Sequence, residues 1–299
     1  PSRPPPAASR YRAAALDRGV YARLYPPCDS HACTDDLFFH MKSNETAPTR
    51  KSSGGFVEFL KTVVWAGLIA LGIRTVAVEP FNIPSESMVP NLLVGDYLFV
   101  SKFSYGYSRY SLPGWLTGID ILDGGRLFFT PPERGDVAVF KLPRDASVDY
   151  IKRIVGLPGD RIQVKNGVLH INGEPVRRER IEDFVKRESG IVTRVPQFIE
   201  TLPNGKRYRI IEYSDHGTLD DTPVYLVPEG HYFAMGDNRD NSLDSRVPAA
   251  NMGVGFIPAE NLVGRAEFLF FSTDGSARLW EIWNWPTSIR YSRIFKSIE

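Results

Sequence analysis

The chain has 299 residues, of which 42% are hydrophobic and 24% are charged, the composition of an ordinary globular protein with one large or two modest domains. Its 36 Lys and Arg residues nearly balance 35 Asp and Glu residues, for a formal net charge of +1. This balance argues against a general nucleic-acid binder, because such proteins usually carry a clear basic excess.

Residues 1–55 are predicted to be a disordered tail. They contain a Pro-rich opening and a polar run, and neither shows a sustained apolar period. Both cysteines, Cys28 and Cys33, lie in this tail, which excludes a disulfide framework for the rest of the chain. With His31 they make three nearby ligands of unusual spacing and no second cluster, so no metal site is expected.

Translation is expected to begin at Met41. The sequence opens with Pro1, and residues 1–40 have no apolar pattern that could build a core. Met41 begins a short polar stretch that leads through Arg50 and Lys51 into an apolar segment, which is the layout of a cytoplasmic lead-in to a membrane anchor. The alternative is a genuine cytoplasmic tail that binds a partner, through its two cysteines.

The apolar segment, residues 56–78, is predicted to be a transmembrane helix. At a rise of 1.5 Å per residue it would span about 34 Å, which is enough for a bilayer core. Lys61 and Arg74 lie near its ends and can reach the interface. Arg50 and Lys51 precede it, so the positive-inside tendency places the N-terminus in the cytoplasm. A cleaved signal peptide and a buried core helix are the alternatives.

From residue 79 onward the pattern favours strands. Asn166-Gly167 between two alternating runs is a strong hairpin signal, and no long amphipathic helix is predicted. The expected fold is mostly β, an antiparallel domain over residues 79–299 behind one transmembrane helix. The charged, irregular residues 177–223 are predicted to be an inserted subdomain. Strands are expected near residues 97–102, 136–142, 161–176, 224–227, 231–235 and 267–271.

The segment FNIPSESMVPNLLVGD, residues 81–96, is the first of three that carry candidate chemistry. Ser85 and Ser87 lie between Pro84 and Pro90, and the prolines restrict the backbone on both sides. A rigid, exposed turn can present a hydroxyl nucleophile beside backbone N–H donors. The alternative interpretation is a plain turn.

The second segment, DYIKRIVGLPGDR at residues 149–161, interrupts an apolar strand with Lys152 and Arg153. Because side chains alternate faces along a strand, the two point in opposite directions, and one must face the buried or cleft side. Arg stays charged in any site, whereas Lys can lose its proton when it is desolvated. A surface lysine at a strand edge is the alternative. The apolar neighbours expected to desolvate Lys152 are Ile151, Met88 and Val139.

The third segment, MGDNRDNSLDSR at residues 235–246, lacks the Glu that closes a calcium loop, so a tight hydrogen-bonded turn is predicted instead. Such a turn can hold Ser242 toward a neighbour, and Asp244 and Arg246 are suited to charge pairing. None of the five histidines lies in the three segments. Their absence favours a Ser–Lys device over a Ser-His-Asp triad.

Together these segments resemble bacterial type I signal peptidase (leader peptidase). PSESM, GDYLFV, RGDVAVFK, DYIKRIVGLPGD, GDNRDNSLDSR and GFIPAENLVGRA occur in the family's order, and the resemblance covers roughly residues 56–272. It implies a membrane-bound serine endopeptidase that removes signal peptides from exported preproteins after small residues, through a Ser/Lys dyad and an acyl-enzyme. No cofactor is implied.

The resemblance also implies roles for individual residues. Ser87 would be the nucleophile and Lys152 the general base, Ser85 and the backbone N–H of Ser87 would form the oxyanion hole, and Ser242 would orient the Lys152 amine. Glu86 stands where many members have glycine. The supporting residues would be Asp244, Arg246 and Arg153. The substrate-binding residues would be Phe81, Ile83, Pro84, Met88, Leu92, Leu98, Val139, Asp149, Tyr150 and Ile151.

By the same resemblance the chain is expected in the bacterial inner membrane, single-pass, with its N-terminus cytoplasmic and its catalytic domain on the periplasmic side. The implied partners are preprotein signal peptides, the lipid bilayer and the protein export machinery, and no nucleic acid. A self-cleaving repressor-type protease and a non-enzymatic, partner-binding β protein are the other hypotheses. Aromatic residues in excess of a small core are predicted to dock on lipid, with ordinary packing as the alternative: Tyr105, Tyr107, Tyr110, Trp115, Trp280, Trp283 and Trp285.

Overall fold

The computed structural model describes residues 55–111, 125–188, 191–214, 216–277 and 280–298. The predicted tail, apart from Gly55, lies outside the described residues, as do the proposed start at Met41, the two cysteines and Trp115.

The apolar segment forms helix α1 (Gly55–Val76). At 1.5 Å per residue its 22 residues span about 33 Å, and residues 55–74 are long and apolar enough to cross a membrane, with none of them buried in the protein. The helix ends two residues earlier than predicted. Strand β1 (Val78–Asn82) already begins there, because Pro80 favours extended backbone before it and the segment pairs with the next strand.

The chain beyond β1 alternates strands and turns. The strands are, in chain order, β2 (Asp96–Ser101), β3 (Val137–Leu142), β4 (Asp145–Gly156), β5 (Arg161–Lys165), β6 (Val168–Ile171), β7 (Glu174–Pro175), β8 (Arg177–Glu188), β9 (Ile191–Thr201), β10 (Arg207–Ile211), β11 (Tyr225–Leu226), β12 (His231–Met235), β13 (Ile257–Pro258) and β14 (Leu262–Ser272). A one-turn helix, α2 (Trp285–Ser288), follows.

A seven-stranded sheet in the order β1-β2-β14-β3-β4-β12-β13 carries the main core. Each neighbouring pair is antiparallel, so β1 and β4, which are separated by three strands, run in the same direction. Leu98, Leu92 and Leu269 belong to one apolar cluster of this sheet, and Phe140 and Ile154 to a second. The mostly β, antiparallel fold is thus confirmed.

A smaller sheet in the order β11-β5-β6-β7 contains the predicted hairpin. Strands β5 and β6 pair directly, and the turn residues Asn166 and Gly167 have φ angles of 48° and 72°. Positive φ at both central residues is what a tight hairpin turn of this type requires. The side chains of Ile162 and Leu169 join those of β10 and β12 in a third apolar cluster.

Most of the segment predicted to be irregular forms strands, so the prediction was wrong for residues 177–188, 191–201 and 207–211, whereas the described residues from 212 to 223 contain no strand. Strands β8, β9 and β10 pair antiparallel in the order β10-β9-β8. Alternating apolar residues such as Phe184 and Val195 sit among many charges, and this alternation is the strand period that the charge density concealed. Both side chains pack with Val89 and Ile211, so the sheet lies against the segment that follows Ser87.

The six aromatic residues predicted to contact lipid that lie within the described ranges differ in exposure. Tyr105 is buried at 1% exposure and donates a hydrogen bond to Asp136, so ordinary packing explains it. Tyr107 and Tyr110 are partly buried. Trp280 and Trp283 are exposed at 66% and 71%, and Trp285 at 38%.

Candidate active site

Ser87 and Lys152 face each other at the end of a cleft. Ser87 lies in the turn after β1, and strand β4 directs Lys152 toward it, so that the Lys152 Nζ and Ser87 Oγ atoms are 2.6 Å apart. Both side chains are buried, at 7% and 3% exposure. This is the distance at which a neutral amine can accept the hydroxyl proton.

Burial makes the Lys152 ammonium lose its proton more readily than an exposed lysine does. Desolvation lowers the pKa of its amine to about 8, although the negative charges of Asp244 and Asp237 act in the opposite direction. The amine donates a second hydrogen bond to the Ile151 carbonyl at 3.0 Å. With this pKa roughly a tenth of the lysines are neutral at pH 7, against fewer than one in a thousand for an exposed lysine.

Ser85 stands beside the nucleophile. Its hydroxyl oxygen lies 3.3 Å from the Ser87 hydroxyl oxygen. The Ser87 carbonyl accepts a hydrogen bond from the Asn238 N–H at 3.1 Å, and the Asn238 side-chain amide donates to the Glu86 carbonyl at 3.2 Å. The turn at Asn238 therefore holds the backbone of the nucleophile from one side, which leaves the Ser85 hydroxyl toward the cleft.

Arg153 points away from the cleft, as the strand alternation predicts. Its guanidinium donates to both carboxylate oxygens of Asp237, at 2.8 and 2.9 Å, and stacks over the Tyr208 ring. Neither face of β4 is exposed here, because Arg153 is also buried, at 1%. Lys152 faces the cleft, as the strand alternation allows, and the Asp237 carboxylate explains how the second buried charge, that of Arg153, is accommodated.

The turn at residues 236–246 is held by a second carboxylate–guanidinium pair. Arg246 donates to both oxygens of Asp244, each at 2.9 Å, and the Gly236 N–H donates to Asp244 at 3.0 Å. Burial alone would raise the pKa of Asp244, but the charge and hydrogen bonds of Arg246 and the Gly236 N–H bring it below its ordinary value. The pairing of Asp244 and Arg246 suggested by the sequence is present.

Ser242 packs at Gly236, next to the nucleophile. A Cβ atom at position 236 would overlap both the Ser242 side chain and the Ser87 carbonyl, so the close approach requires glycine. The Ser242 hydroxyl is buried, and its side chain is among the groups near Asp244 that help to lower the pKa of that carboxyl. The expected hydrogen bond from Ser242 to the Lys152 amine is not formed in this structure, and its orienting role stays a prediction.

The cleft beside the dyad has a volume of about 620 Å³. Seven of the predicted substrate-binding residues line it: Phe81, Ile83, Pro84, Val139, Asp149, Tyr150 and Ile151. Met88, Leu92 and Leu98 do not, because each is fully buried in the apolar cluster behind the cleft. Sequence reasoning placed them at the surface of the cleft only by family resemblance. Glu86, which the sequence comparison with the family singled out as able to alter the substrate groove, also lines the cleft, and the lining residues that were missed are Pro80, Asn82, Val148, Asn241 and Leu243.

A further buried ion pair was also missed. Arg239 of the turn donates to both carboxylate oxygens of Glu200 on β9, and the Tyr208 hydroxyl donates to Glu200 at 2.6 Å. Arg239 and Glu200 are 2% and 1% exposed. The nearby Glu200 negative charge, acting against burial, holds the pKa of Arg239 above its ordinary value. Only the strand character of residues 191–201, with Glu200 facing inward, could have indicated it.

The chain is similar to known signal peptidases. The family model described as signal peptidase, peptidase S26, matches residues 56–271. Signal peptidase I of Rickettsia typhi is 42% identical over 247 residues, which cover 77% of this chain and 89% of that protein. Signal peptidase I of Rickettsia conorii is 39% identical over 274 residues, which cover 86% of this chain and 96% of that protein. A crystal structure of a signal peptidase I from Enterococcus faecalis is 26% identical, covers 46% of this chain and 97% of that chain, and has a TM-score of 0.26.

Proposed function

The chain belongs to the peptidase S26 family of signal peptidases, serine endopeptidases, and we propose that it removes signal peptides from exported preproteins through a Ser87–Lys152 dyad. The observation that carries the dyad is the 2.6 Å separation of the two reacting atoms. The low pKa of the buried amine supports the assignment of Lys152 as the base, because a protonated lysine could not accept the serine proton.

The reaction begins when the neutral Lys152 amine takes the Ser87 proton. The Ser87 oxygen attacks the substrate carbonyl, and the negative charge on the carbonyl oxygen is stabilised by the Ser85 hydroxyl and the Ser87 N–H. Lys152, now protonated, passes its proton to the leaving amine. Water then attacks the acyl-enzyme while Lys152 accepts its proton, and the bond between the acyl group and the Ser87 oxygen breaks as Lys152 returns that proton to Ser87.

The cleft supports a preference for small residues before the cut. Ile83 and Val139 are 2% and 1% exposed, and with Ile151 they make a tightly packed apolar wall near the dyad. A large side chain would have to be accommodated by strain, at a cost of about 1–3 kcal/mol. We therefore expect Ala at the positions one and three residues before the scissile bond.

The position of the dyad in the chain supports the proposal that the enzyme cleaves substrates that are held in a membrane. Ser87 follows the last residue of α1 by eleven residues, so cleavage takes place close to the membrane surface on the side where the helix ends. We propose that this is the periplasmic side of the inner membrane, with the N-terminus cytoplasmic. The exposed Trp280 and Trp283 are suited to a contact with lipid, and the protein export machinery would deliver the substrate.

A cleavage assay tests the proposal. Detergent-solubilised full-length protein is incubated with a preprotein that has an Ala-x-Ala site, and the new N-terminus is sequenced. We expect one cut after the second Ala, no cut by Ser87→Ala, and a loss of about 10- to 100-fold when the Ala before the cut is replaced by Phe. Cleavage by Ser87→Ala would contradict the nucleophile, and equal cleavage of the Ala and Phe substrates would contradict the pocket.

A further inference from the structure

The lining of the cleft is mixed in chemistry. Residues 80–84 and 148–151 contribute most of its apolar surface, and Glu86, Asn241 and Leu243 line it as well. Glu86 is the residue between the oxyanion serine and the nucleophile, so its side chain is close to the scissile bond. The proposed reaction does not use its carboxylate.

The strand direction is the basis for assigning a part of the substrate to Glu86. Strands β1 and β4 run in the same direction, and the cleft-lining residues of both precede the dyad in the sequence, Ser87 in one case and Lys152 in the other. An extended substrate whose small residues pack against this apolar lining has its residues before the scissile bond there. The residues after the bond are then left with the lining that Glu86, Asn241 and Leu243 contribute.

The sheet formed by β8, β9 and β10 holds the Glu86 carboxylate in place. The Lys186 ammonium of β8 lies 2.6 Å from the Glu86 carboxylate, with the two side chains 29% and 32% exposed. The Asn241 amide donates to the other carboxylate oxygen at 3.4 Å. Lys186 does not line the cleft, so the negative partner of the pair faces the substrate and the positive partner lies behind it.

We propose that Glu86 is a specificity-determining residue that selects the charge of the first two residues of the released chain, favouring basic over acidic side chains. The inference rests on the proposed function and names a part of the substrate that the dyad does not read. A carboxylate at this position attracts a cation and repels a second carboxylate at short range. Lys186 weakens the attraction by competing for the same oxygen atoms.

The experiment uses full-length enzyme and preproteins that carry Lys, Gln or Glu at the first or the second position after the cut. The ratio of kcat/KM for the Lys and Glu substrates is compared within each variant, so a partial folding defect cancels. For the wild type we expect a ratio of about two- to fivefold, the size of a partly exposed charge interaction. The ratio should fall toward one as salt is raised.

Variants connect the ratio to Glu86. Glu86→Gln should bring it to about one, Glu86→Lys should reverse it, and Lys186→Gln should increase it because the competing cation is gone. Glu182→Gln is the matched control: it removes one exposed carboxylate from the same strand as Lys186 but outside the cleft, and the ratio should stay at the wild-type value.

Two results would overturn the inference. One is an unchanged Lys-to-Glu ratio in Glu86→Gln. The other is a charge preference that appears only at the fourth residue before the cut, which would mean that the substrate runs in the opposite direction. Failure of the proposed function is distinguishable from both, because the wild type would then cleave none of the substrates, including those with Gln.

Discussion

The two faces of strand β4 hold buried cations in opposite ways. On the cleft face, Lys152 has the Ser87 hydroxyl and the Ile151 carbonyl as its hydrogen-bond partners. On the opposite face, Arg153 is bound through two hydrogen bonds by Asp237, and the neighbouring Arg239 is bound in the same way by Glu200. All three side chains are at most 3% exposed.

The difference between the faces lies in whether a carboxylate touches the buried cation. Desolvation lowers the pKa of Lys152 to about 8, whereas the Asp237 carboxylate, acting against burial, holds the pKa of Arg153 above its ordinary value. A buried cation without a bound anion tends to lose its proton, and one with a bound anion keeps it. The same degree of burial thus makes a base on one face and a structural support on the other.

Removing the Lys152 amine should have the largest effect. Lys152→Met and Lys152→Arg are each expected to reduce kcat by at least about 10⁴-fold, because neither side chain can accept the Ser87 proton at neutral pH. Steady-state cleavage of the Ala-x-Ala preprotein measures this, with circular dichroism as the folding control. Substantial turnover by either variant would contradict the lysine base.

Of these two variants, Lys152→Met is also expected to stabilise the fold. A lysine whose pKa is about 8 when folded, below the ordinary 10.5, carries a folding penalty that is fully present below pH 8 and is lost as the pH rises toward 10.5. Lys152→Met should remove about 3 kcal/mol of that penalty at pH 6. Urea unfolding of the variant and the wild type at pH 6 and pH 10 measures this stability difference. If the stability gained by Lys152→Met is as large at pH 10 as at pH 6, the lowered pKa of Lys152 is not its cause.

On the opposite face of β4, removing the partner of a buried cation is expected to destabilise the fold. Glu200→Gln leaves the buried Arg239 without its anion and should lower the free energy of unfolding by about 3–5 kcal/mol. The exposed Glu182→Gln on the same sheet is the control, with an expected change within about 0.5 kcal/mol. If the two variants unfold at the same urea concentration, the pair does not support the turn.

Ser242→Ala tests whether the turn acts on the base or only supports the fold. A hydroxyl that orients the Lys152 amine in the reacting complex should lower kcat by about 10- to 1000-fold and change KM little when it is removed. In this structure the Ser242 hydroxyl makes no hydrogen bond to the Lys152 amine, so that bond would have to form on substrate binding. An unchanged kcat would show a packing role alone.

The smallest expected effect is the change in kcat/KM with each unit of pH. Only the neutral Lys152 amine is active, so kcat/KM should rise about tenfold per pH unit below pH 8 and level off above it. A profile that is flat between pH 6 and pH 9 would contradict the link between burial and basicity. A preprotein without ionisable groups near the cut avoids a second titration in this range.

The sequence alone predicted the local features well. The apolar run predicted α1, and the Asn166-Gly167 turn and the β-branched runs predicted strands because these signals act within a few residues. The nucleophile loop and Lys152 also came from the sequence, through family motifs. The alternation of Lys152 and Arg153 needed only the two-residue period of a strand.

Only the tertiary structure decided which buried charges meet. Nothing near Glu200 or Arg239 in the sequence indicates that the two are paired, and nothing near Met88 indicates that it lies behind the cleft and not in its wall. Glu86 and Lys186 are likewise brought together by the packing of β8 against the turn after β1 that contains Ser87. Partners of this kind are separated by tens of residues, so their distance depends on strand order and sheet packing. Strand patterns set each element, whereas the burial and pairing of charges depend on how the elements are packed.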